Sequence, residues 1–542
     1  MLLRGGARGL AIGVILAAVL VAVSLAAHAS DRTDIPLQNW GGFAVHRDQV
    51  YDDLERLVTA GFGDRAVLNT KPISRTAAAR IVARAIQNVR ADSIGRYSDR
   101  TDLEDELNRL TEEFKVELAV MGVKLPADAT VAKPGVFSFT PIDRALVRGG
   151  AASRDFTFPY SNRVRFQRGA NGGFTFESRA QIGDWVTFYL QPELHVNEEF
   201  GAGRLKQGYV KLTLFNVELL AGRESLWWGP GLNGSLILSN NAGPLDHVRI
   251  GAAEPFLLPF IGDWIGPTKI VAFFAKLEKD RDIPRAEMAG LRGTFSPFSF
   301  LELGASYVNI FGGDAPPRLR GAEDYFRVLF DPIASDQGTQ TPQRFRNNAL
   351  FALDADLRLA NAYRYFIPAR DLRIYGEFGW DDTCCSSSFI PLADATSYRF
   401  GLHFLNLFEA DGLDWRFEFT KTNTFSYTHN QFFRGYWSRG EVMSDVVGTD
   451  GMSLWTRASQ RLDPRLLVGV SASRVEIGNT ALNAGTPRER RTGGGLDVSW
   501  AFGAAWSLFA QAQVMYTTDR NFVAGEDGWD GFVLAELTRS FR

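Results

Sequence analysis

The stretch AWSLFAQAQVMYTTD, residues 505–519, decides the fold. Its side chains alternate between an apolar and a more polar face, as those of a β-strand with one lipid-facing side do. The apolar face begins at Trp506 and ends at Tyr516, ten residues further on. At about 3.3 Å per residue and a tilt of about 40°, these rings lie roughly 25 Å apart along a barrel axis. That is about the height of the apolar band of a transmembrane β-barrel, which carries aromatic rings at both interfaces.

The same alternation continues through most of the chain from residue 135 onward. The last strand repeats the layout from Trp529 to Phe541, with Arg539 interrupting its apolar face near one interface. About 18 candidate strands follow one another over roughly 400 residues, joined by alternately short and long polar connections. Because lipid does not permit an unpaired sheet edge, these strands must close on themselves. The predicted fold class is an all-β transmembrane barrel of about 18 antiparallel strands over residues 135–542, with a wide lumen that is open or plugged.

The N-terminus predicts export from the cytoplasm. Arg4 and Arg8 precede an apolar run from residue 10 to residue 25, and Ala27-His28-Ala29 supplies a small-x-small cleavage site, so residues 1–29 are interpreted as a signal peptide. The run is shorter than a membrane-spanning helix requires, and an uncleaved anchor is the alternative. An exported chain of this size with only 2 Cys needs a large core or a closed sheet to hold it.

The segment from about residue 45 to residue 125 predicts a small α-helical bundle, within a domain and linker covering residues 30–134. Leu54 and Leu57 share one face of the first helix, and Ser74 is a suitable N-cap for the second. The third helix is expected from Leu103 to Met121, with apolar residues at steps of three and four. Its charged faces exclude it from lipid, so we expect the bundle in the periplasm, against or inside the barrel mouth.

Signals of enzymatic chemistry are scarce. The chain has no His-x-x-x-His metal pair, no Gly-x-Ser-x-Gly elbow and no P-loop, so we predict no catalytic residues, no metal and no cofactor. A net charge of −3 argues against nucleic-acid binding. Inward-facing carboxylates such as Asp354 and Asp356 could cleave glycosides in principle, but no pair stands out. The adjacent Cys384 and Cys385 cannot join distant segments and are interpreted as stiffening a surface loop.

The stretch RESLWWGPGLNGSLILSNN, residues 223–241, needs an explanation of its own. It follows a predicted hairpin with strands near 209–215 and 217–223, and its Gly-Pro-Gly forces a sharp turn. Trp227 and Trp228 cannot both face lipid, because neighbours on a strand point in opposite directions. They are therefore expected to pack within an inward-folded segment. Indole faces beside amides and a guanidinium also suit sugars, so the following residues are candidates for either an architectural or a glycan-facing role: Arg223, Trp227, Trp228, Asn240 and Asn241.

The block GRESLWWGPGLNGSLILSNNAGP, residues 222–244, resembles the most recognisable block of the capsule assembly Wzi family. The order of signal peptide, helical segment and barrel is also similar, over nearly the whole chain. The resemblance implies a lectin in the outer membrane of a Gram-negative-type bacterium, with a periplasmic helical domain. Such a lectin would attach capsular or extracellular polysaccharide to the cell surface. Outer-membrane lipid is a further implied partner, with capsule export machinery or peptidoglycan as additional candidates.

Polysaccharide contacts are expected mainly from the long loops of the barrel. The candidate loops are 312–346, 382–393, 422–452 and 478–490. Within the third of these, YTHNQFFRGYW combines aromatic rings with polar groups, a composition suited to stacking on sugars. The candidate binding residues there are Tyr427, His429, Phe432, Phe433, Arg434, Tyr436 and Trp437. Packing of the loop itself is the alternative role for each of them.

One segment departs from this resemblance. PISRTAAARIVARAIQNV, residues 72–89, is similar to one cell-wall-binding repeat of the S-layer-homology type. Porins that carry such a repeat with a coiled coil form a different class, so the alternative function is a cell-wall-anchored outer-membrane porin for sugars or small solutes. Only one such segment is present, and the helix after it is short for a coiled coil. The two functions differ in the lumen, which should be plugged in the lectin and conducting in the porin.

Overall fold

The computed structural model describes residues 31–37, 49–92, 100–125, 135–197, 201–316, 318–330, 347–381, 396–424, 426–428, 432–478, 485–503 and 505–541. The predicted signal peptide, the two adjacent cysteines and His429 lie outside the described residues. No helix in the described part of the chain is long and apolar enough to cross a membrane.

Strands dominate the chain. In chain order they are β1 Thr70–Lys71, β2 Phe137–Ala152, β3 Phe156–Thr157, β4 Arg165–Phe166, β5 Gly169–Ile182, β6 Val186–Asn197, β7 Gly201–Leu214, β8 Val217–Glu224, β9 Trp227–Trp228, β10 Leu245–Ala252, β11 Thr268–Lys276, β12 Glu287–Phe298, β13 Leu301–Phe311, β14 Asn347–Leu359, β15 Ala369–Asp381, β16 Thr396–Leu407, β17 Leu413–Lys421, β18 Trp437–Ser438, β19 Glu441–Val442, β20 Met452–Asp463, β21 Leu466–Ile477, β22 Glu489–Phe502, β23 Trp506–Thr518 and β24 Gly528–Ser540. The helices are α1 Gln49–Thr59, α2 Arg75–Arg90, α3 Thr101–Glu113, α4 Lys115–Val120, α5 Gly262–Ile265 and α6 Gly321–Phe330.

Eighteen of these strands form one closed antiparallel barrel, in which neighbours in the chain are neighbours in the sheet. Pairing of β2 with β24, from Arg144 opposite Ser540 to Ala152 opposite Phe532, closes the ring. The predicted fold class is therefore confirmed. Connections at the end where β2 begins and β24 finishes are mostly short, and we call it the short-turn end. The long connections lie at the other end, the loop end.

The two faces of β23 are those that the sequence predicts. Val514 on the apolar face is 52% exposed, whereas its neighbour Met515 is 4% exposed and faces the lumen. The arginine that interrupts the apolar face of β24 lies at the short-turn end. Its guanidinium carbon lies 5.2 Å from the ring centroid of Trp506 and 4.8 Å from that of Phe541. Arg539 is thus held by cation–π contacts in the interfacial aromatic belt.

Two sequence predictions need correction. The hairpin strand expected at 209–215 is longer, because β7 begins at Gly201. A register shift opposite Gln191 and Pro192 interrupts its alternation, and this hid the first half of the strand. The third helix is not continuous but breaks at Phe114, between α3 and α4. At that break the Arg75 guanidinium donates to the Glu113 carbonyl oxygen at 2.6 Å and packs over the Phe114 ring.

The helical bundle lies inside the barrel at the short-turn end. Ser74 caps α2 as predicted, its hydroxyl accepting a hydrogen bond from the Ala77 amide at 3.2 Å. Ion pairs then join the bundle and the segment before it to the barrel wall. They are Arg56 with Asp414, Arg100 with Asp371 at 2.7 Å, Asp34 with Lys211 at 2.7 Å, and Glu55 with Arg373 at 2.8 Å. The bundle therefore occupies the lumen rather than resting against the mouth.

A lysine on the lipid-facing side of β23 should destabilise the barrel, whereas one facing the lumen should not. Ala512 is exposed on the apolar face near the middle of the strand, so we expect Ala512→Lys to cost about 2–4 kcal/mol. Ser507 faces a water-accessible cleft and is the matched control. Folded fractions after urea titration in vesicles, read by heat-modifiable gel mobility, compare the two variants. Equal losses would contradict the assignment of faces.

Candidate functional site

Loops at the loop end fold into the barrel and fill its outer half. We call residues 225–244 the tryptophan loop and residues 422–451 the aromatic loop. Both pack into one core with inward side chains of β11 to β14, including Phe273, Met288 and Ile310. The connection of residues 153–168 packs separately, with Phe158 and Phe166 against Phe509 and Phe532 on the opposite wall. These loops meet the helical bundle, so described residues occupy the lumen from both ends.

Trp227 and Trp228 connect the two parts of the chain that occupy the lumen, the helical bundle and the inward-folded loops. Both side chains are 1% exposed, and they point into different cores. Trp227 belongs to the core of the helical bundle, with the Tyr160 ring 5.8 Å away, whereas Trp228 packs edge-on against Phe273 at 5.4 Å. Their strand β9 pairs with β1 of the N-terminal segment, Lys71 opposite Trp227. The inward-folded segment that the sequence predicts is therefore present, and it touches the bundle directly.

Carboxylates of the barrel wall hold the backbone of the tryptophan loop. Glu418 accepts hydrogen bonds from the Leu232 and Asn233 amides at 2.7 and 2.9 Å. Glu377 accepts one from the Leu236 amide at 2.8 Å. A chain crossing a lumen has no neighbouring strand over most of its length, so side chains must satisfy its buried amides. These carboxylates of the barrel wall therefore have a structural role, since they hold the tryptophan loop in place.

Gly229 shows why the Gly-Pro-Gly turn requires glycine. Its φ is +136°, a conformation that side-chain-bearing residues rarely adopt. A Cβ at this position would lie 2.7 Å from the Glu377 carboxylate oxygen, which leaves no room for a side chain. The amide of Gly229 donates to the Asn69 carbonyl oxygen at 3.0 Å, so the turn also fixes the contact with the bundle.

The inward carboxylates considered for glycoside cleavage are held by arginines. Asp354 binds Arg292 at 2.7 Å, and Asp356 binds Arg373 at 2.8 Å and Arg358 at 2.8 Å. All of these side chains are buried, and Asp356 also accepts from the side-chain amide of the bundle residue Asn69 at 3.1 Å. Among the described residues there is no cluster of potential metal ligands. The arrangement fixes the bundle and offers no accessible acid–base pair.

The candidate residues of the family block are mostly enclosed. Asn240 and Asn241 are buried with the two tryptophans, and the Asn241 side-chain amide donates to the Val442 carbonyl oxygen at 3.0 Å. Arg223 is the exception, since it lies on the outer face of β8 in a bidentate pair with Asp246 at 2.6 and 2.7 Å. In this structure the block has an architectural role, and glycan contact by it stays a prediction.

The candidate residues of the aromatic loop divide into two groups. Tyr427, Phe432 and Tyr436 are buried, and the Tyr427 hydroxyl donates to the Leu236 carbonyl oxygen of the tryptophan loop at 2.8 Å. Phe433 is 52% exposed, Arg434 is exposed and Trp437 is half-buried. Of these six described candidates, a glycan can reach only the second group in this conformation. The binding role of the whole set stays a prediction.

The connection of residues 153–168 was not among the loops predicted from the sequence to bind polysaccharide. Its segment FTFPYSNRVRF interleaves aromatic residues with Arg163 and Arg165, a composition like that of the aromatic loop. Arg163 lies near Arg439 of the aromatic loop, and Arg165 pairs with Glu441 of the same loop at 3.0 Å. The same composition rule applied to every long connection would have found this segment.

Residues 145–528 match the model of the family described as capsule assembly protein Wzi. This chain belongs to the Wzi capsule assembly family. A curated relative, an uncharacterized 55.8 kDa protein in the cps region of Klebsiella pneumoniae, is 25% identical over 359 residues, or 62% of this chain. The chain spans just under two thirds, 66%, of that relative.

A solved structure shares the fold. It is Wzi of Escherichia coli, an outer-membrane protein involved in group 1 capsule assembly and a carbohydrate-binding β-barrel. The TM-score is 0.67 at 20% sequence identity, and the match covers 92% of this chain and 100% of the other. Family membership and the shared barrel confirm the predicted resemblance and the outer-membrane location of this Wzi family member.

The buried Lys71 should make stability depend on alkaline pH. Burial, opposed by Glu55 and reinforced by Arg373, lowers the pKa of Lys71 from 10.5 to about 8. Between these values the unfolded state binds more protons than the folded state, so stability rises by about 1.4 kcal/mol per pH unit as the pH increases. We expect Lys71→Met to remove this rise and to stabilise the protein at pH 7.

Thermal unfolding from pH 7 to pH 11, followed by tryptophan fluorescence, measures the difference between variant and parent. Lys115→Met is the control, because Lys115 lies on the bundle surface in an ion pair with Glu112. Parallel curves for the parent and Lys71→Met would contradict the burial of a titrating lysine.

Proposed function

We propose that this Wzi family member is an outer-membrane lectin that attaches capsular or extracellular polysaccharide to the cell surface. One observation carries the proposal, namely that described residues fill the lumen from both ends. A ligand can bind to the loop end of a filled barrel but cannot pass through its lumen. The carbohydrate binding of the Escherichia coli relative supports the same assignment, and the enclosed carboxylates give no support to glycoside cleavage.

The exposed part of the aromatic loop suits sugar binding. Phe433, Arg434 and Trp437 present two rings and a guanidinium on one short segment. Their backbone is held from below, since Arg281 donates to the carbonyl oxygens of Gly435 and Trp437, each at 3.0 Å. Rings held on a fixed support stack on sugar faces with little loss of conformational entropy.

The orientation of the barrel supports a surface role for these residues. Short turns of outer-membrane barrels face the periplasm and long loops face outward. The helical domain of residues 30–134 then enters the barrel from the periplasm, where capsule export machinery or peptidoglycan could contact it. Residues 72–89, which resemble a cell-wall-binding repeat, form α2 and its N-terminal flank. The buried face of α2 packs in the bundle core.

Single-channel conductance in planar bilayers separates the lectin from the porin. We expect low conductance from the intact protein, because ion-paired helices and loops occupy the lumen. Deleting residues 31–125 should raise it sharply, since the outer loops alone fill only part of the barrel. Large, steady conductance of the intact protein would favour the porin and refute the lectin.

Truncating the exposed rings should weaken polysaccharide binding without affecting the fold. Phe433→Ala and Trp437→Ala should each cost about 1 kcal/mol, or about fivefold in Kd. The control is Phe215→Ala, which removes a fully exposed ring from the turn between β7 and β8 at the short-turn end. Retention of capsular polysaccharide by purified protein on a sensor surface provides the readout. Equal effects of all three changes would place the binding surface elsewhere.

A further inference from the structure

Four arginines lie close together at the loop end of the barrel, beside its shortest strands. Strands β8 and β10 have only 8 residues each, whereas β7 beside them has 14, and the tryptophan loop enters the lumen between the two short strands. At this rim, side chains from β7 and from two inward-folded loops converge. We call them the rim arginine cluster: Arg163, Arg165, Arg204 and Arg439.

Two members of the cluster, Arg163 and Arg439, border Gly243 of the tryptophan loop. A Cβ built on Gly243 would lie 3.5 Å from Arg439 Nη1 and 3.9 Å from the Arg163 side chain. Arg204 Nη1 donates to the Arg163 carbonyl oxygen at 3.2 Å. The guanidinium groups thus come from three separate segments, and the fold brings them together despite their like charge.

Acidic residues balance only part of this charge. Arg165 pairs with Glu441 at 3.0 Å, and Arg204 pairs with Glu193 at 2.5 Å, a carboxylate that also binds Arg148. Among the described residues, the side chain of Arg439 has one weak ion pair, at 3.6 Å from Asp246, whose carboxylate is already in the bidentate pair with Arg223.

Arg163 has no ion pair or side-chain hydrogen bond among the described residues, and its Nε is buried. Burial lowers its pKa, Arg165 lowers it further, and Glu441 opposes this shift. Burial and the nearby Arg223 likewise lower the pKa of Arg439. Arg163 therefore lacks an anionic partner in the described part of the chain, whereas Arg439 shares Asp246 with Arg223 and has Glu278 at its backbone amide.

An amide below the cluster is also unmatched. Asn240 is 1% exposed, and neither its side-chain oxygen nor its nitrogen has a hydrogen-bond partner in the described part of the chain. Its side chain lines a small cavity with Ser225, Ser239 and Gly243. Buried amides are nearly always paired, and a cavity of this size suits a water molecule as the partner of Asn240.

We propose that the rim arginine cluster binds carboxylate groups of an acidic polysaccharide, with Arg163 and Arg439 as the main anion contacts. This inference rests on the proposed function and names the chemical class of its ligand. Guanidinium groups bind carboxylates in a planar, bidentate manner. The cluster faces the mouth, because Arg204 lies on the inner face of β7 and Arg163 on a connection packed inside the barrel. A ligand there would continue onto the exposed rings, since β18 and β19 link Trp437 to the cluster.

The test uses full-length protein and fluorescent alginate oligosaccharides, compared with the same oligosaccharides after reduction of their carboxyl groups. We expect the reduced probe to bind at least about tenfold more weakly, as loss of charge-assisted hydrogen bonds implies. Arg163→Gln and Arg439→Gln should each weaken binding of the acidic probe by about tenfold and leave the reduced probe unchanged. Arg285→Gln is the control, because Arg285 is 55% exposed and paired with Asp314 elsewhere at the loop end.

A second variant does not depend on removing an arginine. A Cβ at Gly243 lies at ordinary contact distance, 3.5 Å from Arg439 Nη1, so the carboxylate of Gly243→Asp should compete with the acidic probe and weaken its binding about as much. Heat-modifiable gel mobility verifies that each variant is folded.

Three results would overturn the inference. Equal binding of the acidic and reduced probes, or no binding of the acidic probe, would do so, as would unchanged binding in all three cluster variants. Retention of lipopolysaccharide from vesicles is measured in parallel. If Arg163→Gln and Arg439→Gln reduced retention of lipopolysaccharide but left binding of the acidic probe unchanged, the cluster would instead be a site for lipid phosphates. None of these results touches the proposed function, which fails separately if the purified protein does not retain capsular polysaccharide or if the intact protein conducts.

Discussion

Every amide that crosses the lumen of a barrel needs a hydrogen-bond acceptor, and this requirement shapes the whole interior. Glu418 and Glu377 accept from the tryptophan loop, and Glu302 accepts from the Leu68 and Asn69 amides of the bundle at 3.0 and 2.9 Å. Because such carboxylates are buried, arginines on neighbouring strands must compensate them. The charged lumen wall thus follows from the irregular chain that it encloses, and a water-filled channel would not need this pattern.

The parts of the fold that depend on local period could be predicted from the sequence. The lipid-facing side of β23 and the Ser74 cap each follow from spacing within one segment. Closure of the barrel follows from the repetition of the strand pattern about 18 times, because lipid does not permit an unpaired sheet edge. The break at Phe114 could not be predicted in this way, because it depends on Arg75, which lies far away in the chain. The early start of β7 was hidden for a similar reason, since a register shift against β6 interrupts its alternation.

The candidate site shows the same limit more sharply. Within YTHNQFFRGYW, Tyr436 and Trp437 are adjacent, yet the first is buried and the second is half-buried. Composition identifies such a segment as aromatic and polar, but only the fold of the loop decides which rings face solvent. The rim arginines were missed because they come from separate segments, and no single stretch of sequence contains more than two of them.

The joints between the aromatic loop and the tryptophan loop have a mechanical consequence. The Ser239 amide donates to the Met443 carbonyl oxygen at 2.9 Å, and the Asn241 side chain donates to the Val442 carbonyl oxygen. A force applied to the aromatic loop is therefore transmitted to the tryptophan loop. The tryptophan loop is in turn hydrogen-bonded to β15 through Glu377 and to β17 through Glu418. Tension from a polymer held at the surface would therefore be borne by the hydrogen-bonded ring of strands. The short pairing of β1 with β9, which joins the tryptophan loop to the helical bundle, would carry little of that load.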